Sequence, residues 1–134
     1  MIHFDTSFLV DLLRETARAK PGPATTLLDT VMGEAVGISV FVACELFAGA
    51  ELSIRSSQEL QRVGRLCETL HIAYPDDRFA PTYGRLLADQ ERHRQKISLM
   101  DMLIAVSAIL AEASLVTRNL RDFSRVPGLR VVGY

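Results

Sequence analysis

The chain has 134 residues, of which 49% are hydrophobic and 23% charged, a composition typical of one globular domain spanning 1–134. Its formal net charge of −1 excludes a generally polycationic protein, so contact with nucleic acid would require a local basic patch. The opening MIHFDTSF does not have the pattern of a signal peptide, and the longest apolar run, 102–111, is too short to span a membrane. Cys44 and Cys67 lie in apolar helical patterns outside any paired motif, which predicts free buried thiols in a reducing cytoplasm.

Strand and helix patterns alternate along the first half of the chain. A short strand, MIHF, precedes a helix, DTSFLVDLLRETA, and the segment KPGP separates that helix from a second one, ATTLLDTVMGEA. The run 36–41, VGISVF, is β-branched and apolar, which predicts a buried strand. Two more helices follow, VACELFAGAEL and SSQELQRVGRLCETL.

The same alternation continues in the second half. A short strand, HIAY, leads into a long amphipathic helix, RFAPTYGRLLADQERHRQ, and then into the most apolar helix of the chain, 99–113. A strand SLVT, a polar loop RNLRDFSRVPG and a final short strand LRVVGY complete the pattern. Because strands and helices alternate, we predict an α/β fold with a parallel sheet covered by helices on both faces.

Acidic and amide side chains recur just past the predicted strands. Asp5 directly follows the first strand, Glu45 lies in the first turns of the helix after the second, and Asp101 lies in the first turn of the apolar helix. Asn119 and Asp122 follow the strand SLVT. Ligands of open α/β sheets bind at the carboxyl ends of the strands, so these residues are expected to converge there.

Each of these residues also has a purely structural interpretation. Ser98 and Asp101 fit the capping-box pattern S-x-x-D, and Asp5 suits the N-cap of the helix that it precedes. Glu45 fits a solvated helix position, and the two polar residues after SLVT fit a turn. Capping and ligand binding do not exclude each other, so both interpretations stay open at this point.

Several carboxylates held together repel one another unless protons or a cation neutralise them. The acids supply oxygen ligands, and His3, His71 and His93 lie at no spacing typical of a metal site. Oxygen ligands favour Mg²⁺ or Mn²⁺, and Mg²⁺ bound by carboxylates keeps several waters and favours phosphate partners. The pattern therefore predicts a Mg²⁺ or Mn²⁺ site that acts on a phosphate ester.

The segments FDTSFLVDLL, ISVFVACELFAGA, SLMDMLIAVSAI and LVTRNLRDFSRVPGLRVV resemble the four signature blocks of PIN-domain ribonucleases, in particular the VapC-type toxins of bacterial toxin–antitoxin pairs. The resemblance covers nearly the whole chain and depends on the full set of blocks in this order. It implies a three-layer α/β/α sandwich around a parallel sheet. It also implies an endoribonuclease that uses Mg²⁺ or Mn²⁺ to activate water, forms a homodimer and is inhibited by a cognate antitoxin.

Residue by residue, the resemblance makes Asp5, Glu45 and Asp101 the core acids that bind the metal. The fourth position is either Asn119, which directly follows the segment TR, or Asp122, and we favour Asn119. The hydroxyls of Thr6 and Thr117 occupy positions that orient a carboxylate or a water. One departure is the turn before the apolar helix, where Gln95 and Lys96 stand in place of an expected glycine.

Two basic segments flank the predicted site. Arg118 and Arg121 are predicted to bind RNA, with Arg125 and Arg130 following, and a second cluster contains Arg92, Arg94 and Lys96. A solvated face is the alternative interpretation of such short runs. An antitoxin segment is expected to lie in an apolar groove and to place a basic residue among the acids. The residues expected to line this groove are Leu12, Leu13, Phe47 and Leu52.

Other functions are weighed against this interpretation. A haloacid-dehalogenase-like phosphatase needs D-x-D after the first strand, but the chain has Asp5, Thr6 and Ser7 there. A receiver-type module needs an acceptor Asp at the end of a central strand, but the predicted strand VGISVF ends without one. A catalytically silent PIN-fold binding module and a stand-alone RNA-processing nuclease remain as alternatives.

Overall fold

The computed structural model describes residues 1–134 and contains one sheet of five strands, all parallel. The spatial order is β3-β2-β1-β4-β5. The strands are β1 (Ile2–Phe4), β2 (Val36–Ser39), β3 (His71–Ala73), β4 (Ser114–Val116) and β5 (Val131–Val132). The predicted α/β class with a parallel sheet is confirmed.

Helices connect every pair of successive strands. They are α1 (Thr6–Ala17), α2 (Pro23–Thr30), α3 (Val40–Leu52), α4 (Ser56–Glu68), α5 (Phe79–His93), α6 (Leu99–Leu110) and α7 (Leu120–Phe123). Helices α1 to α4 pack on one another, and α5 packs on α6. Because crossovers between parallel strands are right-handed, these two groups of helices cover opposite faces of the sheet, which gives the expected three layers. No helix combines the length and the apolar character that crossing a membrane would require.

The chain reverses direction in the sheet between β1 and β4. The path runs outward from β1 through β2 to β3 and then returns to β4 on the other side of β1, with Phe4 paired with Val116 at the carboxyl end. Parallel α/β sheets place their ligands at such a switch point. The residues that follow these two strands, Asp5 and Thr117, therefore start the site from adjacent strand ends. A core of 21 buried residues, which includes Phe4, Phe8 and Phe123, lies beneath it.

Two predicted boundaries and one predicted burial are wrong. The predicted strand 36–41 ends at Ser39 because the Ser39 hydroxyl accepts a hydrogen bond from the Val42 N–H at 3.2 Å and begins α3. The predicted loop RNLRDFSRVPG contains α7, whose Phe123 is fully buried. Cys44 is exposed, because α3 is apolar on all sides but buries only one of them.

The turn between α5 and α6 explains why a glycine was expected there. Arg94 ends α5 in the left-handed conformation, with φ 52° and ψ 43°. Glycine adopts this conformation with no side-chain penalty, whereas an arginine is strained in it. The left-handed residue of this turn is therefore Arg94, directly before Gln95 and Lys96, the positions where the resemblance leads us to expect a glycine.

His3 gives a testable acid sensitivity at the centre of the sheet. Its side chain is 1% exposed and its Nε2 has no hydrogen-bond partner, and burial lowers its pKa from 6.5 to about 4, helped by the nearby charges of His71 and the N-terminus. The unfolded chain therefore binds this proton first, and the fold loses stability as pH falls from 6.5 towards 4. We expect a loss of about 2 kcal/mol between pH 7.5 and 5 from this residue.

Urea unfolding of the native protein and of His3→Leu at these two pH values measures this contribution. Leu is apolar and binds no proton. The difference between the two proteins in the loss of unfolding free energy therefore separates the contribution of the histidine from that of the carboxylates, which also titrate. His93→Asn, at an exposed site on α5, is the control. Equal losses of stability in the native protein and in His3→Leu would contradict the prediction.

Candidate active site

Asp5 is held by hydroxyl groups from two elements. It stands at the N-cap position of α1, yet its side chain makes no capping hydrogen bond. Instead its Oδ2 accepts from the Thr117 hydroxyl at 2.7 Å and from the Ser7 hydroxyl at 3.1 Å. The residue is only 5% exposed, and because its carboxylate bonds to these hydroxyls and not to the helix N–H groups, capping does not explain its presence.

Glu45 reaches the same region from α3. Its Oε1 accepts a hydrogen bond from the Thr6 hydroxyl at 2.5 Å, which joins two helices across 39 positions of sequence. This bond leaves the second carboxylate oxygen of Glu45 without a protein partner. Thr6 thus orients a carboxylate, as expected, and Glu45 is not a freely solvated helix residue.

Asp101 lies in the capped first turn of α6, and its carboxyl lies near the other acids. Its N–H donates to the Ser98 hydroxyl at 3.2 Å, so Ser98 is the N-cap of α6, as predicted. Burial and then the negative charge of Asp5 raise the pKa of the Asp101 carboxyl to about 6, with smaller contributions from Glu45 and Asp122 and an opposing hydrogen bond from Ser98. The acids are therefore close enough to repel, which is the electrostatic condition for binding a cation.

The two candidates for the fourth position contact each other. The Asn119 side-chain amide donates to Asp122 Oδ2 at 3.2 Å, and the Asn119 N–H donates to the Thr117 hydroxyl at 2.9 Å. Asn119 is thereby tied to the bonds around Asp5, while Asp122 adds its charge to the field at Asp101. Both side chains therefore belong to one cluster with Asp5 and Asp101.

The predicted basic residues are largely engaged in other contacts. Arg118 binds the Asp11 carboxylate with Nη1 at 2.8 Å, and Lys96 pairs with Glu91 at the same distance. Arg125 lies 3.9 Å from Asp122. Arg121 is exposed on α7 and its guanidinium makes no contact within the chain. Of the two predicted RNA-binding residues, Arg121 forms no hydrogen bond or ion pair with the rest of the chain, whereas Arg118 is already paired with Asp11 through Nη1.

Sequence reasoning missed two parts of the site. Ser7 donates to Asp5 and accepts from the Arg118 N–H at 3.2 Å, and the adjacent hydroxyls of Thr6 and Ser7 were the signal for it. Tyr134 donates its hydroxyl to Asp11 at 2.7 Å and packs edge-on against Phe8, with ring centroids 5.1 Å apart. No local pattern predicts this second contact, because it joins the two ends of the chain.

Thr117→Val tests the hydroxyl support of Asp5. Valine keeps the shape of the fully buried side chain but removes the donor to Asp5 and the acceptor for Asn119. We expect catalytic activity about tenfold lower and a loss of stability of about 1 kcal/mol. Thr69→Val removes a hydroxyl bond to Leu66 far from the site and is the control. A pattern in which both variants lose stability but neither loses activity would limit Thr117 to a structural role.

The chemistry of the cluster is that of an oxygen-lined anionic pocket. No three or more His, Cys, Asp or Glu side chains are arranged as a group that could hold a metal ion. Mg²⁺ is usually bound in proteins by one or two carboxylates and completes its octahedral shell with water, so it does not require such a group. The raised pKa of Asp101 and the carboxylates that act on it fit a hydrated divalent cation.

Comparisons with known proteins agree with this geometry. The model of the PIN domain family matches residues 2–129. Ribonuclease VapC19 of Mycobacterium tuberculosis is 32% identical over 127 residues, which cover 94% of each chain, and the tRNA(fMet)-specific endonuclease VapC of Salmonella typhimurium is 32% identical over 94 residues, 70% of this chain and 71% of that one. The crystal structure of Rickettsia felis VapBC2 bound to a promoter DNA fragment superposes with a TM-score of 0.89 at 26% identity, covering 100% of this chain and 99% of that one. The chain belongs to the PIN domain family and, within it, to the VapC ribonucleases.

Proposed function

We propose that this protein is the toxin of a toxin–antitoxin pair and cleaves RNA endonucleolytically by hydrolysis, as one PIN domain spanning 1–134. The observation that carries the proposal is the convergence of Asp5, Glu45 and Asp101 at the switch point of the sheet, where burial and the charges of the other two acids raise the pKa of Asp101. The VapC relatives are ribonucleases, and one acts on a tRNA. RNA is therefore the substrate class.

A divalent cation is general to PIN-domain nucleases, and we propose Mg²⁺ or Mn²⁺ here. Asp5, Asp101 and Glu45 would hold it together with water. When bound, such an ion polarises water and neutralises the charge that develops on the scissile phosphate. The oxygen-only donor set and the raised pKa of Asp101 support this choice.

The protein side chains position the reaction. Thr117 and Ser7 fix one oxygen of Asp5, and Thr6 fixes one oxygen of Glu45, so each carboxylate presents its other oxygen in a set direction. Asn119 lines the pocket beside them, with Asp122 as an outer acid. Carboxylates held in advance in this way avoid reorganisation during the reaction.

Metal removal and product analysis test the proposal. Purified protein is incubated with total RNA and Mg²⁺ or Mn²⁺, with and without EDTA, and the new RNA ends are mapped. We expect cleavage only with metal, leaving a 5′-phosphate and a 3′-hydroxyl, because water rather than the ribose 2′-hydroxyl attacks. A 2′,3′-cyclic phosphate, or cleavage that survives EDTA, would contradict the mechanism. No cleavage under any condition would favour a silent PIN-fold module.

We propose that the antitoxin occupies the groove between α1, α3 and α4. This groove has a volume of about 600 Å³ and reaches Glu45 at one end. Its apolar lining includes Leu13, Leu46 and Val63, which suits the spaced anchors of an amphipathic segment. An arginine of that segment could then pair with the acids, since its planar fork matches a carboxylate. VapBC relatives are toxin–antitoxin systems, which supports such a partner.

The other apolar residues expected in the groove lie elsewhere. Leu12 is not among its lining residues, and neither are Phe47 and Leu52, which are 39% and 87% exposed. The helical period places Phe47 on a different side of α3 from Glu45 and Leu46. With the fully exposed Ile54, they leave an apolar surface that supports the proposed homodimer.

We propose a cytoplasmic location. RNA is the substrate class, and the cysteines of the chain are both free thiols. Free thiols are stable in a reducing compartment.

A further inference from the structure

A cleft beside the candidate active site concentrates positive charge. It lies between α1, the turn into α2 and the C-terminal Tyr134, and has a volume of about 510 Å³. Its cationic lining residues are Arg14, Arg18, Lys20 and Arg118. The acids of the same lining are Asp11 and Glu15, so four cations face two carboxylates in a protein whose total charge is −1. The cleft is a local exception to the charge of the whole molecule.

Both acids of the cleft are already saturated by bonds within the chain. Glu15 Oε1 accepts from the N–H groups of Gly22 at 2.7 Å and Thr25 at 2.9 Å, which fixes the turn between the two helices. Asp11 Oδ2 accepts from Tyr134 at 2.7 Å and from Arg118 at 2.8 Å. The carboxylates therefore hold the walls of the cleft together and have little capacity left for a ligand.

The cations, in contrast, retain most of their donors. Arg18 and Lys20 are exposed, and their side chains form no hydrogen bond or ion pair with the rest of the chain. Arg14 has only a long contact of 3.9 Å with Asp11, and Arg118 uses Nη1 alone. An anionic ligand would thus meet several uncommitted donors spread along one side of α1.

The cleft is joined to the pocket of acids through the backbone. The Arg118 N–H donates to Ser7, whose hydroxyl donates to Asp5. A phosphate chain bound in the pocket would experience repulsion from the acids, and adjacent cations offset that repulsion. Arg14 and Arg18 lie between this cleft and the groove formed by α1, α3 and α4, and they line both. The groove adds the apolar Leu13, Leu46 and Val63, which suit a protein segment, whereas the cleft adds Lys20 and Arg118, which suit a polyanion.

We propose that this cleft binds the sugar–phosphate backbone of the single-stranded RNA next to the scissile bond, through Arg14, Arg18, Lys20 and Arg118. The inference rests on the proposed ribonuclease function and adds the path that the substrate follows. Backbone contacts of this type carry no sequence information and give binding a strong salt dependence. The cleft would therefore set affinity and register for RNA, while base recognition lies elsewhere.

The test compares two double variants that remove the same charge. Arg18→Gln with Lys20→Gln alters the cleft, and Arg65→Gln with Arg85→Gln alters exposed, unpaired residues on α4 and α5. All proteins carry Asp101→Asn so that RNA stays intact. Binding of a fluorescein-labelled single-stranded RNA oligonucleotide of mixed sequence is measured by anisotropy over a series of KCl concentrations. Loss of two phosphate contacts should reduce the slope of log K against log salt by about 1.4, with no change in the control pair.

Equal slopes and affinities in the two double variants would overturn the cleft assignment. That result leaves the ribonuclease proposal intact, because the latter depends on cleavage by the native protein in the presence of metal. Weaker binding of the antitoxin with unchanged binding of RNA would also overturn the assignment and give the cleft to an acidic segment of the partner.

Discussion

Replacing Asp101 by Asn is expected to abolish RNA cleavage while leaving the fold intact or more stable. Asparagine keeps the shape of the side chain and leaves the Ser98 cap in place, because that bond uses the backbone N–H of position 101. What it removes is the charge of a proposed metal ligand, on a carboxyl whose pKa is raised by burial and by three other acids. We expect a loss of activity of roughly 100-fold or more, since weakening even the support of a metal ligand costs 10–100-fold.

The effect of Asp101→Asn on stability has a predictable sign. The pKa of Asp101 is about 6 in the fold against an ordinary value of 3.8, so the charged carboxylate destabilises the metal-free fold above pH 6. This penalty disappears as pH falls from 6 towards 3.8. Because the group is half-buried, we expect the variant to gain about 1 to 2 kcal/mol at pH 7.5 in EDTA and nothing at pH 4.

Cleavage assays with Mg²⁺ and melting curves in EDTA measure the two effects. Asp77→Asn removes one charge from an exposed turn and is the matched control. Near-native cleavage by Asp101→Asn would return this residue to a capping role. A melting temperature lower than that of the control at pH 7.5 would contradict the electrostatic interpretation of its pKa.

Replacing Gly49 by Leu is expected to separate toxicity from neutralisation. Gly49 lies inside α3 and lines the proposed antitoxin groove, and a Cβ atom placed there meets no atom within 4 Å. Because the position is also exposed, we expect a leucine side chain to extend into the groove with little effect on the packing of the protein itself. Helix propensity favours Leu over Gly by about 0.5–1 kcal/mol, so the fold is expected to gain stability. The added leucine side chain would occupy space in the groove that an antitoxin segment needs, and this overpacking should weaken binding about 10–100-fold.

Gly84→Leu provides a control of the same kind. Gly84 is also an interior helical glycine with open space around it, but it lies on α5, outside the groove. The cognate antitoxin is co-expressed with each variant, growth is recorded, and affinity is measured by calorimetry. Growth arrest that persists only with Gly49→Leu would support the groove. Equal affinity of both variants for the partner would show that the antitoxin binds elsewhere.

The acids of the site were predictable because their positions follow from topology. Asp5 comes directly after a strand that the apolar pattern reveals and Asn119 comes three positions after another, and parallel strands bring their carboxyl ends to one edge. The order of the strands was not predictable from periodicity, since pairing β1 with both β2 and β4 depends on packing between distant segments. The family resemblance, rather than the residue pattern, supplied that information.

Contacts between distant side chains account for most of what the sequence did not reveal. The pairing of Arg118 with Asp11 spans 107 positions. It places Arg118, a residue predicted to contact RNA, in the wall of the basic cleft. Phe47 and Leu52 have the same apolar character as Leu46, yet only the helical phase, set by how α3 packs, decides which of them faces the groove. Local patterns fix which residues are apolar, whereas tertiary packing decides what each one contacts.

The hydrogen bond between Thr117 and Asp5 joins positions that are 112 residues apart. During synthesis on a ribosome, a growing chain that already contains Asp5, Glu45 and Asp101 still lacks the strand that brings Thr117 to the first acid. The pairing of Tyr134 with Asp11 spans 123 positions and forms later still. Contacts of such long range form late, because the chain between them must first be made and its closure entropy overcome. The nascent enzyme is therefore expected to stay harmless to the RNA of its own ribosome until the strand that precedes Thr117 has been made and has paired, which gives an antitoxin made beforehand time to meet it.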